Sequence, residues 1–294
     1  MTDTPETPLS CATPQDLPPP PPSRRVARVQ VREGVAGGGT RAVPEETPVA
    51  LTFNGTTHAV MMATPADIPA FALGFALTEG IVAAPADILS IEEIVVEEGI
   101  EARIWIAEEK MRTLSARRRA LAGPTGCGLC GVESLAEAVK PAARVTCELR
   151  LAPAEILAAM AALGPLQALN HETRAVHAAA YAEPGAGILA LAEDVGRHNA
   201  LDKLVGLVTL RGLDTSRGLL LLTSRVSIEM VQKASVLGTG VIAAVSAPTS
   251  LAIRTAEAAG ITLCAVVRAD GFEIFTHPER IALASADERH THVA

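Results

Sequence analysis

Aromatic residues, basic charge and long apolar runs are all scarce in this chain of 294 residues. The aromatic residues are five Phe, one Trp and one Tyr, so Ala, Leu, Val and Ile must build the core, for which the 49% hydrophobic content suffices. The net charge of −8 argues against broad nonspecific binding to nucleic acid, and no DNA partner is expected. The most apolar stretch, 69–83, is shorter than the ~20 residues of a spanning helix and contains Glu79, so no membrane segment is expected.

Cysteine is too scarce, and odd in number, for the disulfide framework of a small secreted protein. There are five cysteines, one of which, Cys11, lies in an N-terminal stretch with consecutive prolines at 18–22. This stretch lacks the basic-then-apolar order of a secretory signal. We therefore predict a disordered Pro-rich tail over 1–24, a reducing cytoplasmic environment and thiols that serve a function.

Residues 25–150 are predicted to form a smaller, strand-rich domain that ends in a loop with two cysteines. Asn54-Gly55 between two apolar runs is a hairpin signal, and Pro65-Ala66-Asp67 is typical of a helix start. The run Gly37-Gly38-Gly39 lacks the strand and helix context of a phosphate-binding loop and is interpreted as a flexible connection. The predicted strands are 26–32, 49–53, 58–62, 91–96 and 102–106, and a basic helix at 108–121 precedes the cysteines.

Residues 151–283 alternate between short apolar strands and helices, which is the pattern of a parallel sheet covered on both faces. We therefore predict an α/β domain here, followed by a polar tail over 284–294. The predicted strands are 188–192, 219–222, 241–246 and 262–267, and the predicted helices are 153–163, 199–210, 227–237 and 251–259.

Polar residues follow three of these strands, at the edge where α/β sheets bind ligands. Arg197, His198 and Arg225 would place two guanidiniums and an imidazole at neighbouring strand ends, a basic pocket suited to a diphosphate or nucleotide. Neither a Walker loop nor a Gly-x-Gly-x-x-Gly motif accompanies them. Hydroxyl residues commonly cap helices, and capping is the preferred interpretation of Ser224, Thr249 and Ser250.

The most informative motif is Gly-Cys-Gly-Leu-Cys-Gly at 126–131, in which Cys127 and Cys130 lie three positions apart before a predicted helix. A thiol at a helix start tends to be a thiolate, the form that attacks a disulfide, binds a metal or carries sulfur. Zinc is disfavoured because a second ligand pair is missing, and the half-motif that resembles a zinc deaminase lacks its His-x-Glu partner. Persulfide transfer is preferred, and redox exchange comes second.

The remaining thiols, histidines and arginines near these motifs have simpler interpretations. Cys147 and Cys264 lie in apolar, strand-like runs and are predicted to be small core residues. His290 and His292 lie in the polar tail and are interpreted as solvated. The arginines at 117–119 more often form a solvated helix face than a group that stabilises a thiolate or binds a phosphate.

Four blocks of the chain, in order, resemble the FdhD family, the formate dehydrogenase accessory sulfurtransferases. Residues 67–82 also resemble that family's first helix, and the resemblance extends from about Val43 to Ile281. The Pro-rich tail lies outside it. The four blocks are 125–134, 193–203, 223–233 and 246–250.

The resemblance implies a cytoplasmic sulfur carrier that accepts persulfide sulfur from a cysteine desulfurase. The carrier would transfer this sulfur to the molybdenum bis(molybdopterin guanine dinucleotide) cofactor, which formate dehydrogenase needs for activity. Cys127 would carry the persulfide and Cys130 would assist by exchange or resolution, with either order open. The alternative is a chaperone that carries the molybdenum cofactor to formate dehydrogenase without chemistry at the thiols.

The resemblance also implies a homodimer and a cytidine-deaminase-like α/β/α layer in the C-terminal part. No structural metal is expected. The family's cofactor-binding segment corresponds to 275–280 of this chain. We add the residues at the strand ends to the predicted cofactor site, and we expect GDP to mimic the guanine dinucleotide. The predicted cofactor-binding residues are Phe275, Thr276, His277, Pro278, Glu279, Arg280, Arg197, His198, Thr223, Ser224, Arg225, Ser246 and Thr249.

Overall fold

The computed structural model describes residues 18–121 and 140–283, with no account of the side chains of 116–121. The described chain begins with a two-stranded antiparallel ribbon formed by β1 (Ser23–Arg32) and β2 (Val35–Pro44). The prediction of a loop at 37–39 is wrong, because these glycines lie in β2, opposite 28–30 of β1. Pairing with β1 supplies the backbone hydrogen bonds that make this glycine run a strand.

A four-stranded sheet follows, with the strand order β4-β3-β6-β5. Both predicted hairpins are confirmed, and the first turns at Asn54 and Gly55, whose φ values of 46° and 77° are those that an Asn-Gly turn favours. The central strands β3 and β6 run parallel. The strands are β3 (Thr47–Phe53), β4 (Thr56–Ala63), β5 (Ile88–Val96) and β6 (Gly99–Ile106).

The predicted helices of the N-terminal part are α1 (Ile68–Thr78) and α2 (Glu108–Leu121), and both are confirmed. Asp67 precedes α1 in the left-handed region, with a φ of 55°, and the next residue begins the helix. Nine of the eleven residues of α1 are buried, so α1 is a core helix rather than an amphipathic surface helix.

The C-terminal sheet has six strands in the order β12-β11-β10-β9-β7-β8. The mixed α/β class is confirmed, but the prediction of a purely parallel sheet is wrong. Only β9, β10 and β11 pair in parallel, and β7 separates β8 from β9 with antiparallel pairing on both sides. The strands are β7 (His177–Glu183), β8 (Gly187–Asp194), β9 (Leu219–Leu222), β10 (Val241–Ala244), β11 (Thr262–Arg268) and β12 (Gly271–Thr276).

Helices cover both faces of this sheet, as predicted. One apolar cluster joins one sheet face to α5, α6 and α7 and continues through α1 into the four-stranded sheet, and a second joins the other face to α3. The domain boundaries at 24, 150 and 283 and the cytidine-deaminase-like layering stay predictions. The helices are α3 (Pro153–Leu166), α4 (Ala168–Thr173), α5 (Arg197–Leu210), α6 (Ile228–Leu237) and α7 (Ser250–Ala259).

Helices α1 and α5 cross at a contact that only glycine permits. A Cβ atom on Gly74 would lie 1.7 Å from the carbonyl oxygen of Asp202, and one on Gly206 would lie 1.9 Å from that of Ala70. The two backbones therefore touch without side chains between them, which fixes α5 against the N-terminal part of the chain. Within the described ranges, no helix has the length and apolarity needed to cross a bilayer.

Candidate functional site

The predicted strand-end residues gather at the edge of the six-stranded sheet where β8, β9 and β10 end and β7 begins. We call this the carboxyl edge. The loops after β9 and β10 run side by side here, because the backbone N–H of Thr249 donates to the carbonyl of Val226 at 3.0 Å. The amino ends of α5 and α6 point their free N–H groups toward the same edge. The predicted residues found here are Arg197, His198, Thr223, Ser224, Arg225, Ser246 and Thr249.

Arg197 and His198 lie in the first turn of α5 and carry buried nitrogen atoms that lack a hydrogen-bond partner. The atoms Arg197 Nε and His198 Nε2 are both buried, yet neither has a hydrogen-bond partner among the described residues. A buried donor without a partner costs about 1–3 kcal/mol, so such groups commonly mark a site that a ligand or water completes. This pair is the strongest sign of a binding site in the described part of the chain.

The imidazoles of this edge are held neutral. Burial, with a smaller contribution from the Arg197 guanidinium, lowers the pKa of His198 and of His177, the first residue of β7. His177 was not among the predicted site residues. The prediction of a basic edge therefore needs refinement, because its positive charge comes from Arg197 and the exposed Arg225 and not from the imidazoles.

An acidic residue that was also not predicted lies beside these groups. Burial alone would raise the pKa of Glu229, in the first turn of α6, but hydrogen bonding and the nearby His198 and Arg197 bring it below its ordinary value. The carboxylate therefore partly balances the charge of the guanidinium. The edge thus combines the guanidiniums and helix amino ends with one carboxylate beside them.

The hydroxyl groups of the carboxyl edge mainly support the backbone. Thr249 caps α7 by accepting from Ala252 N at 3.2 Å, which confirms its predicted role. The capping prediction is wrong for Ser224, whose hydroxyl donates to the carbonyl of Arg225 at 3.0 Å, and for Ser250, which is the first residue of α7.

Thr223 joins two strands in a similar way. Its hydroxyl oxygen accepts from the backbone N–H of Ala178 at 2.8 Å and so continues the pairing of β9 with β7 past the last strand residue. Ser246 is half-buried in the loop after β10. These two residues shape the edge, and the two guanidiniums supply its charge.

The predicted segment 275–280 lies at the opposite edge of the sheet. Strand β12 is antiparallel to β11, so its end pairs with the beginning of β11, where Leu263 faces Thr276. The seven residues of β11 span about 20 Å between the two edges. The two groups of predicted residues therefore do not form one pocket within a single chain.

Most polar groups of 275–280 are occupied by structural contacts. The buried hydroxyl of Thr276 accepts from Leu263 N at 2.9 Å, and His277 Nε2 lies 2.9 Å from the carbonyl oxygen of Glu257. Phe275 is half-buried against the main core, whereas Pro278 and Glu279 are exposed. Thus the first half of this segment closes the sheet edge, as expected for the end of a strand.

Arg280 holds a neighbouring segment that contains Cys147. Its Nε donates to the carbonyl oxygen of Cys147 at 3.1 Å, and its Nη1 donates to the hydroxyl of Thr262 at 3.1 Å. A surface pocket of about 440 Å³ opens here, lined by residues 147–150 with Glu279 and Arg280. Cys147 lies outside any strand but is half-buried against the main core, so its prediction as a core residue is confirmed in part, whereas Cys264 is fully buried in β11 as predicted.

A buried ion pair anchors the first turn of α5. Lys203 Nζ lies 2.6 Å from Asp194 Oδ2, and neither side chain is exposed. Thr64 contacts both, through an N–H that donates to Asp194 at 3.0 Å and a carbonyl that accepts from Lys203 at 2.8 Å. The other carboxylate oxygen accepts from Gly196 N and Asn199 Nδ2 at 2.8 and 3.0 Å. The network thereby fixes the helix start that carries the unpartnered donors.

A second buried network ties α1, α5 and α6 together. Lys233 Nζ donates to Asp202 Oδ1 at 2.9 Å, to Glu79 Oε1 at 2.8 Å and to the hydroxyl of Thr78 at 2.9 Å. Burial would lower the pKa of Lys233, but the carboxylates of Asp202 and Glu79 outweigh it and raise the pKa, so the ammonium stays charged.

Sequence reasoning missed the roles of both lysines, although the pattern contained a signal. Lys203 follows Ala200 by three positions and precedes Leu207 by four, so it lies on the apolar stripe of the predicted helix. A lysine at such a position requires a buried carboxylate as its partner.

Comparison with known proteins identifies the family. The model of the FdhD/NarQ family matches residues 44–282, which is most of the chain. The chain belongs to the FdhD/NarQ family. This confirms the resemblance stated from the sequence motifs. The matched range differs by one residue at each end from the range given there.

Curated relatives of the family match most of the chain. The protein named sulfur carrier protein FdhD from Agrobacterium fabrum is 52% identical over 265 residues, which cover 88% of this chain and 96% of the relative. The protein of the same name from Brucella abortus is 52% identical over 243 residues, or 82% of this chain and 90% of the relative.

A solved structure supports the fold. The crystal structure of a candidate formate dehydrogenase accessory protein from Desulfotalea psychrophila superposes with a TM-score of 0.68 at 26% identity. The match covers 89% of this chain and all of that protein. This chain therefore shares its arrangement of several sheets and helices with an experimental structure.

The thiol pair of the family motif, Cys127 and Cys130, lies outside the described residues, as do the side chains of 117–119. The described chain resumes at Lys140, whose carbonyl oxygen accepts from Gln232 Nε2 of α6 at 2.6 Å. The described chain therefore resumes beside α6, the helix that begins at the carboxyl edge.

Proposed function

We propose that this chain is a sulfur carrier in the maturation of formate dehydrogenase. It accepts persulfide sulfur from a cysteine desulfurase and passes it to the molybdenum bis(molybdopterin guanine dinucleotide) cofactor in the cytoplasm. Membership of the FdhD/NarQ family and the names of relatives that share about half of the sequence support this role. The Gly-flanked thiol pair supplies the chemical group that the role needs.

The proposed chemistry balances at the two thiols. The Cys127 thiolate attacks the outer sulfur of the desulfurase persulfide, the sulfur–sulfur bond of the donor breaks, and the desulfurase leaves as a thiolate. Attack by the Cys130 thiolate on the inner sulfur of the Cys127 persulfide then releases sulfide to the cofactor and leaves a disulfide. A dithiol reductant must reduce this disulfide before the next cycle.

The single structural observation that carries the cofactor part of the proposal is the pair of unpartnered donors, Arg197 Nε and His198 Nε2, at the carboxyl edge. A diphosphate accepts hydrogen bonds from guanidinium groups and from helix amino ends, which is what this edge offers. We therefore assign the diphosphate of the guanine dinucleotide to Arg197 and Arg225, with neutral His198 as a further hydrogen-bonding group.

The segment 275–280 enters the proposal as a separate contact, because the sheet places it at the opposite edge. Its accessible part is the pocket formed by Glu279, Arg280 and residues 147–150. We propose that this pocket contacts another portion of the cofactor. Binding measurements on variants at the two edges test the assignments separately.

GDP binding by calorimetry distinguishes the edges. Arg197→Ala and Arg225→Ala should each weaken GDP binding about 10-fold to 100-fold, because each removes a charge-assisted hydrogen bond of about 1.5–3 kcal/mol. The control is Arg254→Ala, an exposed arginine on α7, which should leave binding unchanged. Parent-like affinity of the Arg225 variant would show that the carboxyl edge is not the diphosphate site. A loss confined to Arg280→Ala would move the site to the other edge.

Intact mass after incubation with desulfurase and cysteine tests the sulfur step. The parent and the control Cys11→Ala should each gain one sulfur atom, and Cys127→Ala should gain none and should fail to activate formate dehydrogenase. No added sulfur on the parent protein would favour the non-catalytic chaperone instead.

A further inference from the structure

Near its end, β11 contains a residue in a backbone conformation that its side chain disfavours. Val266 has a φ of 54°, in the left-handed region, where a β-branched side chain crowds the neighbouring backbone. Glycine or asparagine would adopt this conformation at lower cost. Residues held in such conformations persist only where the surrounding structure requires them, and they cluster at binding and catalytic sites. The purpose of the strain should therefore be visible in the side chains that follow Val266.

The strained residue lies in a β-bulge. Ala265 pairs with Glu273 of β12, whereas the next paired residue of β11, Arg268, pairs with Gly271. Three steps along β11 therefore match two steps along β12, so β11 contains one residue more than regular pairing allows. A bulge of this kind re-aims the side chains beyond it.

The bulge changes the face of the sheet to which Arg268 belongs. Because side chains alternate along a strand, a residue three positions after Ala265 would normally lie on the opposite face. Ala265 and Val266 instead both pack in the cluster on the side of α5, α6 and α7, and Val267 packs in the cluster on the side of α3. Arg268 therefore returns to the side of α5, α6 and α7, the same side as Ala265.

On this side the side chain of Arg268 reaches the carboxyl edge. Strand β11 runs parallel to β10, so both strands end at this edge. Arg268 Nη1 donates to the carbonyl oxygen of Val245, the first residue after β10, at 2.5 Å, and to that of Val267 at 2.8 Å. Arg268 thus holds the start of the loop that carries Ser246 and Thr249.

Arg268 is a third arginine along this edge, and sequence reasoning did not predict it. Arg197 follows β8, Arg225 follows β9 and Arg268 ends β11. The strand order places β7 between β8 and β9, and β10 between β9 and β11, so neighbouring arginines follow strands about 10 Å apart. Long guanidinium side chains can converge from that separation on one anionic group between them.

The guanidinium of Arg268 has donors that the described chain does not use. The residue is exposed, and among the described residues it forms no ion pair and uses only Nη1 in hydrogen bonds. Its Nε and Nη2 therefore remain available to a ligand. An anion that accepts from them would be held by the same side chain that fixes the loop after β10.

We propose that Arg268 is a further anion-binding residue of the carboxyl edge and that the bulge at Val266 directs it there. Its Nε and Nη2 donate to the diphosphate that Arg197 and Arg225 also bind, while its Nη1 keeps the loop after β10 in place. The inference rests on the proposed function, because it extends the diphosphate site assigned to this edge. The strain at Val266 is then the cost of placing a third positive charge at the site.

Calorimetry with GDP compares Arg268→Gln with Arg268→Lys in the full chain. Both new side chains can donate to the carbonyl oxygen of Val245, but only lysine keeps the positive charge. Arg268→Gln should weaken GDP binding about tenfold and make the affinity less sensitive to salt, because it removes a charged contact to phosphate. Arg268→Lys should bind GDP at least about threefold more tightly than Arg268→Gln. Parent-like binding by Arg268→Gln, or equal binding by the two variants, would overturn the proposal.

Two changes at Val266 test the role of the bulge. Deleting Val266 restores regular alternation and turns Arg268 to the side of α3, so GDP binding should weaken about as much as in Arg268→Gln. The matched control, Val266→Gly, keeps the extra residue and suits a φ of 54°, so it should bind GDP like the parent. Parent-like binding by a deletion variant with the far-UV circular dichroism of the parent would show that the bulge does not direct Arg268.

Arginine variants at the other strand ends separate this proposal from the proposed function. If Arg197→Ala and Arg225→Ala weaken GDP binding and Arg268→Gln does not, the diphosphate site stands and the role of Arg268 is wrong. If none of the three variants weakens binding, the diphosphate site itself is misplaced. Arg254→Ala, at an exposed position of α7, serves again as the control for a general loss of positive charge.

Discussion

The contact of α1 with α5 makes a strong prediction for Gly206→Ala. In an isolated helix this change stabilises by about 1 kcal/mol, because alanine has the higher helix propensity. Here the new methyl group would lie 1.9 Å from the carbonyl oxygen of Ala70, a backbone atom that no rotamer change can move away. The helices must separate by roughly 1.5 Å or more to restore ordinary contact, and a gap of that size forfeits at least about half of the dispersion energy across it.

The expected loss is about 3 kcal/mol or more of the free energy of unfolding, since overpacking of a tight core costs about 1–3 kcal/mol and this core loses contacts as well. Gly74→Ala should cost a similar amount, because its methyl group would lie 1.7 Å from the carbonyl oxygen of Asp202. Once one added methyl group has separated the helices, the second added methyl group can be accommodated with little further displacement. The double variant should therefore cost clearly less than the sum of the two single variants.

Urea denaturation followed by far-UV circular dichroism measures these losses. The matched control is Gly271→Ala, at a position where an added Cβ meets nothing within 4 Å, and its stability should stay within about 0.5 kcal/mol of the parent. A Gly206→Ala variant as stable as the parent would refute the close-contact reasoning, and strict additivity in the double variant would refute the separation of the helices.

Three further predictions follow from buried groups. Lys203→Met should cost about 3–5 kcal/mol of unfolding free energy in urea, because it leaves Asp194 buried without its cation, and a loss below about 1 kcal/mol would contradict this. Burial holds the pKa of His177 and His198 below the ordinary 6.5, so the unfolded chain binds more protons and stability falls as the pH drops below that value. Replacing both histidines by Gln should flatten the melting temperature between about pH 7 and pH 5, and an unchanged slope would argue against it. Burial raises the pKa of Cys264 to about 12, so iodoacetamide should modify this thiol only in urea, as peptide mass mapping would show, and modification of the native protein would contradict its burial.

The sequence predicted most helices and hairpins because their signals are local. Asn54-Gly55 has the φ preferences of a tight hairpin turn, and the folded chain forms that turn at these two residues. Pro153 begins α3 as predicted, because proline fits the first turn of a helix. Features of this kind depend on a few neighbouring residues, so the pattern alone determines them.

The errors arise where partners distant in sequence decide the outcome. The glycines 37–39 have low strand propensity, but pairing with β1 makes them a strand. Strand order is also non-local, and inserting β7 between β8 and β9 makes the predicted parallel sheet a mixed one. The same holds for the predicted cofactor residues, which the strand directions of β11 and β12 divide between two edges.

The charged residues of one sequence block, 193–203, serve two purposes that the sequence does not separate. Asp194 and Lys203 neutralise each other in the core and fix the start of α5, whereas Arg197 and His198, on the turn between them, keep buried donors without partners. The same helix start therefore pairs two buried charges completely and leaves two buried nitrogen atoms without a partner among the described residues. Leaving such atoms unpaired costs stability, and the proposed cofactor contact would supply their partners. On that proposal, the networks of α5 hold in place the helix start that carries Arg197 and His198.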